Sequence, residues 1–597
     1  MKDKKILVFD IEANGFYNDV SEVFCIATED LNTGEQRLYR PDEIKEACRA
    51  LEEADYVAGH NIVAYDIPVL KKLYNIDIDY HKCIDTLLIA KYSTIRMNKY
   101  SLKFIGEKIG SKKIEYNNFS YWEEEMGTYC IQDVRVTTKF LKEYLMRNVN
   151  IFEQGVRLEH AVRAMQTEME IRGVSFDLQL AMRVEAIISK RMSLIKNRLE
   201  PKLGYSLIKY YQGSKKEGIP FIYRQTSKGE ATIHAKRWIG DEASIKGEFC
   251  KVSFDKVTLD KANLLKYKLL ELGWKPTMLT EKGAPKIAEK GITCENLSKI
   301  KGFSSLGSYF VLKHRLGLVQ GLIKVTQDRG SMGYRIPSEA DTLGAITGRY
   351  THRKIVNLPA VRSQFGAPIR RMFKATDGYV FMGADLAGLE ARMLAHYMED
   401  DEFTNEVLDG DIHTFNQHKA GLPNRDAAKT FFYGLVYGAG DAKVGSLVNG
   451  GAKEGKVIKD AYFKALPKLK KLIEVKQKEA SSGTIQSLDG RLIKIPREED
   501  GRGFASRKAL NSLLQSSGAI FAKTWGVFAK KYIDEHNLRA YFLISMHDEY
   551  QLEVHPDDVE ETKKALYYGV EMANKLYDVK CKNDIEIKTG KNWEDTH

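Results

Sequence analysis

The sequence predicts a multidomain α/β protein, and three observations carry that reading. Its 597 residues suffice for several domains of roughly 100–200 residues each. Residues 1–150 and 331–597 alternate apolar strand-like runs with helical stretches, while 151–200 and 255–330 are mainly helical in periodicity. A balance of 43% hydrophobic and 29% charged residues is that of a globular chain, which excludes collagen-like, mucin-like and largely disordered classes.

In chain order, KKILVFDIE, SEVFCIATED and YVAGHN read as strands of a mixed sheet within 1–150. EHAVRAMQTEMEIRG and LQLAMRVEAIISKRMSLIKNRLE space apolar residues three and four apart, the pattern of long helices. Residues 201–252 break that texture. Rich in Gly, Lys and Tyr, with ten Lys+Arg against five Asp+Glu, they read as an inserted basic module. Farther on, GYVFMGADLAGLEARMLAHYM is a strand that turns into a helix, and NRDAAKTFFYGLVYGAG is a helix. AYFLISMHDEYQLEV is two alternating strands joined by a tight turn at His547-Asp548-Glu549.

Charge is unevenly spread. Residues 1–150 hold 21 Lys+Arg against 25 Asp+Glu, and the remainder holds 71 against 56, for a total of +11. A basic bulk favours a polyanionic partner. No run reaches the ~18 apolar residues of a membrane span, so no membrane role is expected. The N-terminal run ILVF stops at Asp10, too short for a signal peptide. Seven scattered cysteines without a CxxC pair argue against a disulfide framework or a zinc site, and place the expected location in the cytoplasm.

Two constellations carry chemistry. In the first, Asp10 and Glu12 lie two apart on one strand face, Asn61 and Asp66 follow in GHNIVAYDIPVL, and Tyr129 and Asp133 share a helical face. Four acids from three segments suit two divalent cations, which prefer carboxylate oxygen and water. Such a pair, roughly 3.5–4 Å apart, can activate water and stabilise a leaving oxygen in phosphodiester hydrolysis. D-I-E alone is more often a turn cap, but the ordered set D-x-E, N-x4-D, Y-x3-D is specific. Asp85 in CIDTLLIA reads equally as a further site position or as a helix cap.

In the second constellation, Asp385 and Asp548 each end a hydrophobic strand, where adjacent strands could bring both onto two metals. Arg425, Lys429, Tyr433 and Tyr437 recur every four residues and form one helical stripe of two cations and two aromatics. Cations of this kind can clasp a triphosphate, and an aromatic can stack on a base. Alone, that stripe is better explained as the edge of an ordinary surface helix. Joined to the two aspartates it is not.

The first set resembles the proofreading 3′–5′ exonuclease domain, of the DEDDy type, found in DNA polymerases. The ordered triple DxxGLE, RDxxKTxxYGxxYG and HDE resembles the A-family, DNA polymerase I-like enzymes, most closely their bacteriophage replicative branch. The likeness extends to GDIHTFNQ, TGRYTH (347–352), GWKPTMLTEKGAP (273–285) and RKALNSLLQSSGA (507–519). It implies a ribonuclease H-like exonuclease domain at 1–150, followed by a right-hand polymerase. The thumb would span 151–330 with the basic insertion near 201–252, the palm 331–400 and 510–597, and the fingers 401–509.

The resemblance also implies roles. Asp10, Glu12, Asp66 and Asp133 would hold metal for the nuclease, with Tyr129 orienting the attacking water. Asp385, Asp548 and the Leu386 carbonyl would hold metal for the polymerase, with Glu549 a supporting acid and His547 touching the primer. His413, Arg425 and Lys429 would grip a dNTP, and Tyr437 would lie near the templating pair. Glu390 would close the space of a ribose 2′-hydroxyl, and Tyr433 implies tolerance of a sugar lacking the 3′-hydroxyl. Arg349, Arg507, Asn511 and Gln515 would read minor-groove acceptors of primer–template DNA.

Implied cofactors are two Mg2+ ions at each site, with Mn2+ as a substitute. At the insertion the implied partner is host thioredoxin or another processivity factor, with a plain DNA-gripping or surface loop as the competing reading. A phage helicase–primase is a further implied partner. The alternative function is a DNA exonuclease whose C-terminal half only binds DNA, which would leave Asp385 and Asp548 idle. A single-subunit RNA polymerase shares the palm, but Glu390 and the nuclease set argue against it.

Overall fold

A computed structural model describes residues 4–93, 97–209, 233, 252–280, 283–289, 291–355, 358–498 and 501–597. Most of the basic insertion expected at 201–252 therefore lies outside the described residues. The chain divides into two compact units: Met1–Asp177 with Thr326–Leu358 and Arg370–His597, and Leu178–Val325 with Pro359–Ile369. The helix Gln154–Arg172, on the thumb side of the boundary expected at 150, belongs to the first unit.

Within the first unit, residues 6–85 build a five-stranded mixed sheet. The central strand Ile6–Ala13 pairs antiparallel with Val23–Asp30 and parallel with Tyr56–Gly59. Gln36–Tyr39 and Cys83–Asp85 form the edges. Strand Ile6–Ala13 is apolar and buried through Phe9, because both sheet faces are covered and two separate hydrophobic clusters flank it. The helix Glu124–Phe140 packs across the first two strands.

A second sheet, four-stranded and antiparallel, orders its strands Ala540–Met546, Glu549–Val554, Val380–Leu386, Ile585–Gly590. Helices Ala509–Glu535 and Val559–Leu576 pack closely on each other beside it. Gly569 permits that approach, since a Cβ there would stand 2.6 Å from the Trp525 carbonyl oxygen. Strand Glu549–Val554 is the second of the two alternating strands read from the sequence. Its residues alternate in chemistry, yet all six are buried. Tyr550, Leu552 and Val554 join the main apolar cluster, while Glu549, Gln551 and Glu553 face polar partners: buried Trp593, Thr596 and Arg335, and half-buried Arg172.

Four buried charges tie distant segments of this unit together. Glu159 accepts from Lys523 at 2.7 Å and from Arg491 at 2.6 Å, and Arg491 also pairs with Asp489 at 2.7 Å. Removing one member leaves buried cations short of a partner, which is costlier than never having the pair. Glu159→Ala is expected to destabilise the protein by about 3–5 kcal/mol. The check is its thermal unfolding midpoint against that of the exposed-pair variant Lys71→Ala, which should barely move.

The second unit has its own core of Leu199, Leu265, Leu269, Trp274, Leu306 and Tyr309. Helices Leu178–Leu203 and Leu306–Val325 pack on each other. Asp260 accepts from Lys196 (2.6 Å), Lys313 (3.0 Å) and Tyr309 (3.0 Å) and so clips their ends.

Candidate functional site

The structure brings the N-terminal acids together. Asp10 and Glu12 project from one face of Ile6–Ala13, Asp66 opens the helix Asp66–Tyr74, and Asp133 lies one turn beyond Tyr129 on Glu124–Phe140. Burial, then the charges of Glu12, Asp66 and Asp133, raise the Asp10 carboxyl well above its ordinary range. Burial is also the leading cause that pushes Glu12 up to about 8, Asp66 to about 7 and Asp133 to about 6. Crowded, desolvated carboxylates of this kind are out of balance without cations.

Two further observations fit a divalent ion. Asp133 Oδ1 is buried with no hydrogen-bond partner, and Asp10, Glu12 and Cys130 offer donor atoms all within 4.8 Å of one another. Cys130 is better read as a neighbour than as a ligand. Burial holds its thiol protonated, with the sulfur 3.4 Å from the Asp10 carbonyl oxygen, and hard cations prefer the carboxylates.

Asp85 resolves as a cap. Its carboxylate accepts from the backbone N–H of Asn61 (2.9 Å), Val63 (3.2 Å) and Leu87 (3.0 Å), fixing the turn that delivers Asp66. Asn61 takes a left-handed φ of 71° in that turn.

The second site forms on the four-stranded sheet. Asp385 registers opposite Glu549, and the Leu386 N–H donates to the Asp548 carbonyl oxygen at 3.0 Å, so both aspartates sit on neighbouring chain segments. His547 has φ 58°, which lets a two-residue turn join the strands. Burial, then Asp548 and Glu549, pushes Asp385 up to about 7, and burial raises Asp548. Burial would raise Glu549 as well, but hydrogen bonds from His597, Gln551 and Trp593 outweigh it and lower it. Trp593 Nε1 donates to Glu549 at 2.9 Å, and His597 Nδ1 stands 3.3 Å away.

The stripe lies on helix Arg425–Val436, with Tyr437 at its C-cap. Arg425 forks onto Asp411 at 2.7 and 3.2 Å, whereas Lys429 is exposed. The His413 ring lies 5.9 Å from that of Tyr433, and its Nδ1 is buried without a hydrogen bond. Burial, then Arg425 and Lys429, lowers the His413 pKa, which favours a neutral imidazole. Glu390 accepts from the Tyr437 hydroxyl at 3.0 Å and from Arg349 at 3.4 Å, joining three of the singled-out residues in one network.

Gly438, at φ 76°, follows this helix. A Cβ there would come within 2.9 Å of the Arg507 carbonyl oxygen, so glycine lets the helix end close against the start of Ala509–Glu535. Arg507 itself sits in the tight turn Ser506–Lys508 rather than on the long helix with Asn511 and Gln515. Gln515 donates to Asn511 at 2.9 Å.

Sequence reasoning missed Lys113, Cys130, Trp593 and His597. Only Cys130 carried a signal, as the neighbour of Tyr129 in YCIQD.

Comparison with known proteins agrees with both halves. A family model of the RNase_H superfamily matches residues 7–119, and that of DNA polymerase family A matches residues 265–595. The DNA-directed DNA polymerases of Enterobacteria phage T3 and Escherichia phage T7 are each 27% identical over 99% of this chain and 100% of their own length. In fold, the chain is similar to the POL domain of Pol1 from M. smegmatis, solved in complex with DNA primer-template and dNTP. That likeness has a TM-score of 0.76 at 19% identity and covers 98% of this chain and 96% of the other. With more than half its length matched by one family model and near full-length phage relatives, the chain belongs to DNA polymerase family A.

Proposed function

We propose that this chain extends a primer on a DNA template by nucleotidyl transfer at Asp385 and Asp548, and proofreads 3′ ends at Asp10, Glu12, Asp66 and Asp133. The observation that carries the first activity is the registration of Asp385 beside the His547-Asp548-Glu549 turn, with the Tyr437–Glu390–Arg349 network alongside. The second activity is supported by the buried Asp133 Oδ1, which has no hydrogen bond, among three other acids.

Two divalent cations at each site, Mg2+ with Mn2+ as a substitute, fit these oxygen donors; Asp385, Asp548 and the Leu386 carbonyl would hold one pair, the four N-terminal acids the other. When bound they supply activation of a hydroxyl or water and neutralisation of phosphate charge.

The remaining roles belong to the chain's own side chains. Arg425 leaves Asp411 for the incoming triphosphate, beside Lys429 and His413. Glu390, held by Tyr437, fills the space a ribose 2′-hydroxyl needs. Glu549 supports the aspartates, His547 meets the primer end, and Tyr129 orients the attacking water in the nuclease. Arg349, Arg507, Asn511 and Gln515 contact the minor groove, where acceptors vary little with sequence. On this reading 1–150 is the exonuclease, 151–330 the thumb, 331–400 and 510–597 the palm, and 401–509 the fingers.

Primer–template DNA and dNTP as ligands are supported by the M. smegmatis relative, which was solved with both. The basic excess of 201–252 supports a processivity role there, either as a DNA grip or as a docking point for thioredoxin. A helicase–primase partner and residence in a host cytoplasm rest on the phage resemblance. Among the described residues, no helix is long and apolar enough to cross a membrane.

A labelled primer–template with Mg2+ tests the reading: extension with dNTPs and shortening without them are expected. Shortening with no extension would leave the nuclease and discard the polymerase.

Tyr433 gives a second measurable consequence. Its half-buried ring stands near Glu390 and Asp548, whose charges help raise its hydroxyl pKa after burial. A hydroxyl there makes up for the missing 3′-hydroxyl of a dideoxynucleotide. The wild type should use both sugars at similar rates. Tyr433→Phe should favour deoxy over dideoxy by about a hundredfold or more, ~2.7 kcal/mol, read as the ratio of kcat/KM values in single-nucleotide insertion.

A further inference from the structure

Lys113 is the one cation among the described residues whose ammonium pairs with an acid of the nuclease cluster. It ion-pairs with Asp133 Oδ2 and lies 4.5 Å from the centre of the Tyr129 ring. The other oxygen of the same carboxylate, Asp133 Oδ1, is buried and makes no hydrogen bond. One oxygen is therefore fastened and the other left open.

The segment that delivers Lys113 is built rather than loose. Ser111 N–H donates to the Gly106 carbonyl oxygen at 2.9 Å, and a Cβ at Gly106 would stand 2.5 Å from the Ser111 carbonyl oxygen, so the chain turns tightly on the end of helix Leu102–Ile109. Gln132 Nε2 donates to the Lys112 carbonyl oxygen at 2.8 Å, which ties the next residue to the helix bearing Tyr129 and Asp133. The Lys113 side chain is 22% exposed, against 3% for that of Asp133. An ammonium so placed offsets the mutual repulsion of the acids and fixes two side chains of one helix face in a single arrangement.

Resting on the nuclease reading above, we propose that Lys113 is a positioning residue of that site: its ammonium holds Asp133 by Oδ2 and packs against the Tyr129 ring, leaving Asp133 Oδ1 directed to a divalent cation. The two consequences have opposite signs. Loss of the ammonium frees Tyr129 and Asp133 to leave their working geometry, which slows cleavage. It also removes a positive charge that repels a bound cation, which tightens metal binding. A defect of folding would weaken both.

The experiment uses full-length protein, wild type, K113M and K113R, each with Asp548→Ala so that the polymerase site does not dominate metal binding. Bound Mn2+ is titrated by electron paramagnetic resonance without DNA, and kcat and KM are measured on a single-stranded oligonucleotide. K113M is expected to lose about 10–100-fold in kcat with KM little changed, and to bind Mn2+ severalfold more tightly. K113R should keep the larger part of the wild-type behaviour.

A wild-type kcat in K113M, a joint loss of rate and Mn2+ binding, or a K113R as impaired as K113M would each overturn the proposal. Primer extension by the parallel K113M protein with Asp548 intact reports folding, and K113Q carries the same test should K113M fail it. Asp10→Ala/Glu12→Ala keeps the two claims apart: if that variant still shortens DNA, the nuclease assignment itself falls.

Discussion

Asp548→Ala is expected to stop primer extension, lowering it by at least about a thousandfold, ~4 kcal/mol of transition-state stabilisation, while 3′ shortening continues. The size follows from what the carboxylate does. Burial and the Asp548 and Glu549 charges raise Asp385, and charges assembled against their own repulsion are kept for what they hold rather than for stability. The variant should fold. Asp548 anchors its surroundings through its backbone carbonyl, which accepts from Leu386 N–H, and an alanine keeps that bond. Its side chain is only partly buried at the end of a turn. Single-turnover extension of a labelled primer measures the loss, and circular dichroism confirms the fold. Extension within tenfold of wild type would remove Asp548 from the chemistry and return the C-terminal half to the binding-only alternative.

Legibility in the sequence followed the range of the interaction. The i, i+2 pair Asp10 and Glu12 and the i, i+4 pair Tyr129 and Asp133 were readable because strand and helix periods fix which residues share a face. The three strands expected within 1–150 are present, and the Asp385 strand does pair with the strand that follows Asp548. Partners set by tertiary packing were not readable. Lys113 reaches Asp133 across 20 positions, Trp593 reaches Glu549 across 44, and no motif marks either.

Asp411 on Arg425 was hidden for a different reason. Its side chain doubles as the N-cap of the helix Ile412–Ala420, and the sequence cannot tell a cap from a cap that also holds a guanidinium. Strand Glu549–Val554 alternates in chemistry but not in exposure, because its polar face is buried against other charged and polar groups. Arg507, four residues before Asn511, lies outside the helix that carries Asn511 and Gln515 because that helix is preceded by a tighter turn.

Asp10→Ala/Glu12→Ala is expected to do the reverse of Asp548→Ala: shortening falls by at least about a thousandfold, ~4 kcal/mol, and extension is retained. Both residues project from one central strand whose pairing to Ala27 and Cys25 is made by backbone, so alanine preserves the ladder. Their removal also takes two of four mutually repelling charges out of a desolvated space, since Glu12, Asp66 and Asp133 each add to the strain on Asp10. The thermal midpoint should therefore hold steady or rise in the absence of divalent ions, even as the nuclease is lost. That pairing of outcomes discriminates between roles. Acids serving as turn caps would cost stability when removed and leave the nuclease intact, whereas acids gathered for metal cost activity and relieve the fold. A lowered midpoint with shortening preserved would therefore assign Asp10 and Glu12 to structure and leave the nuclease without its first two ligands.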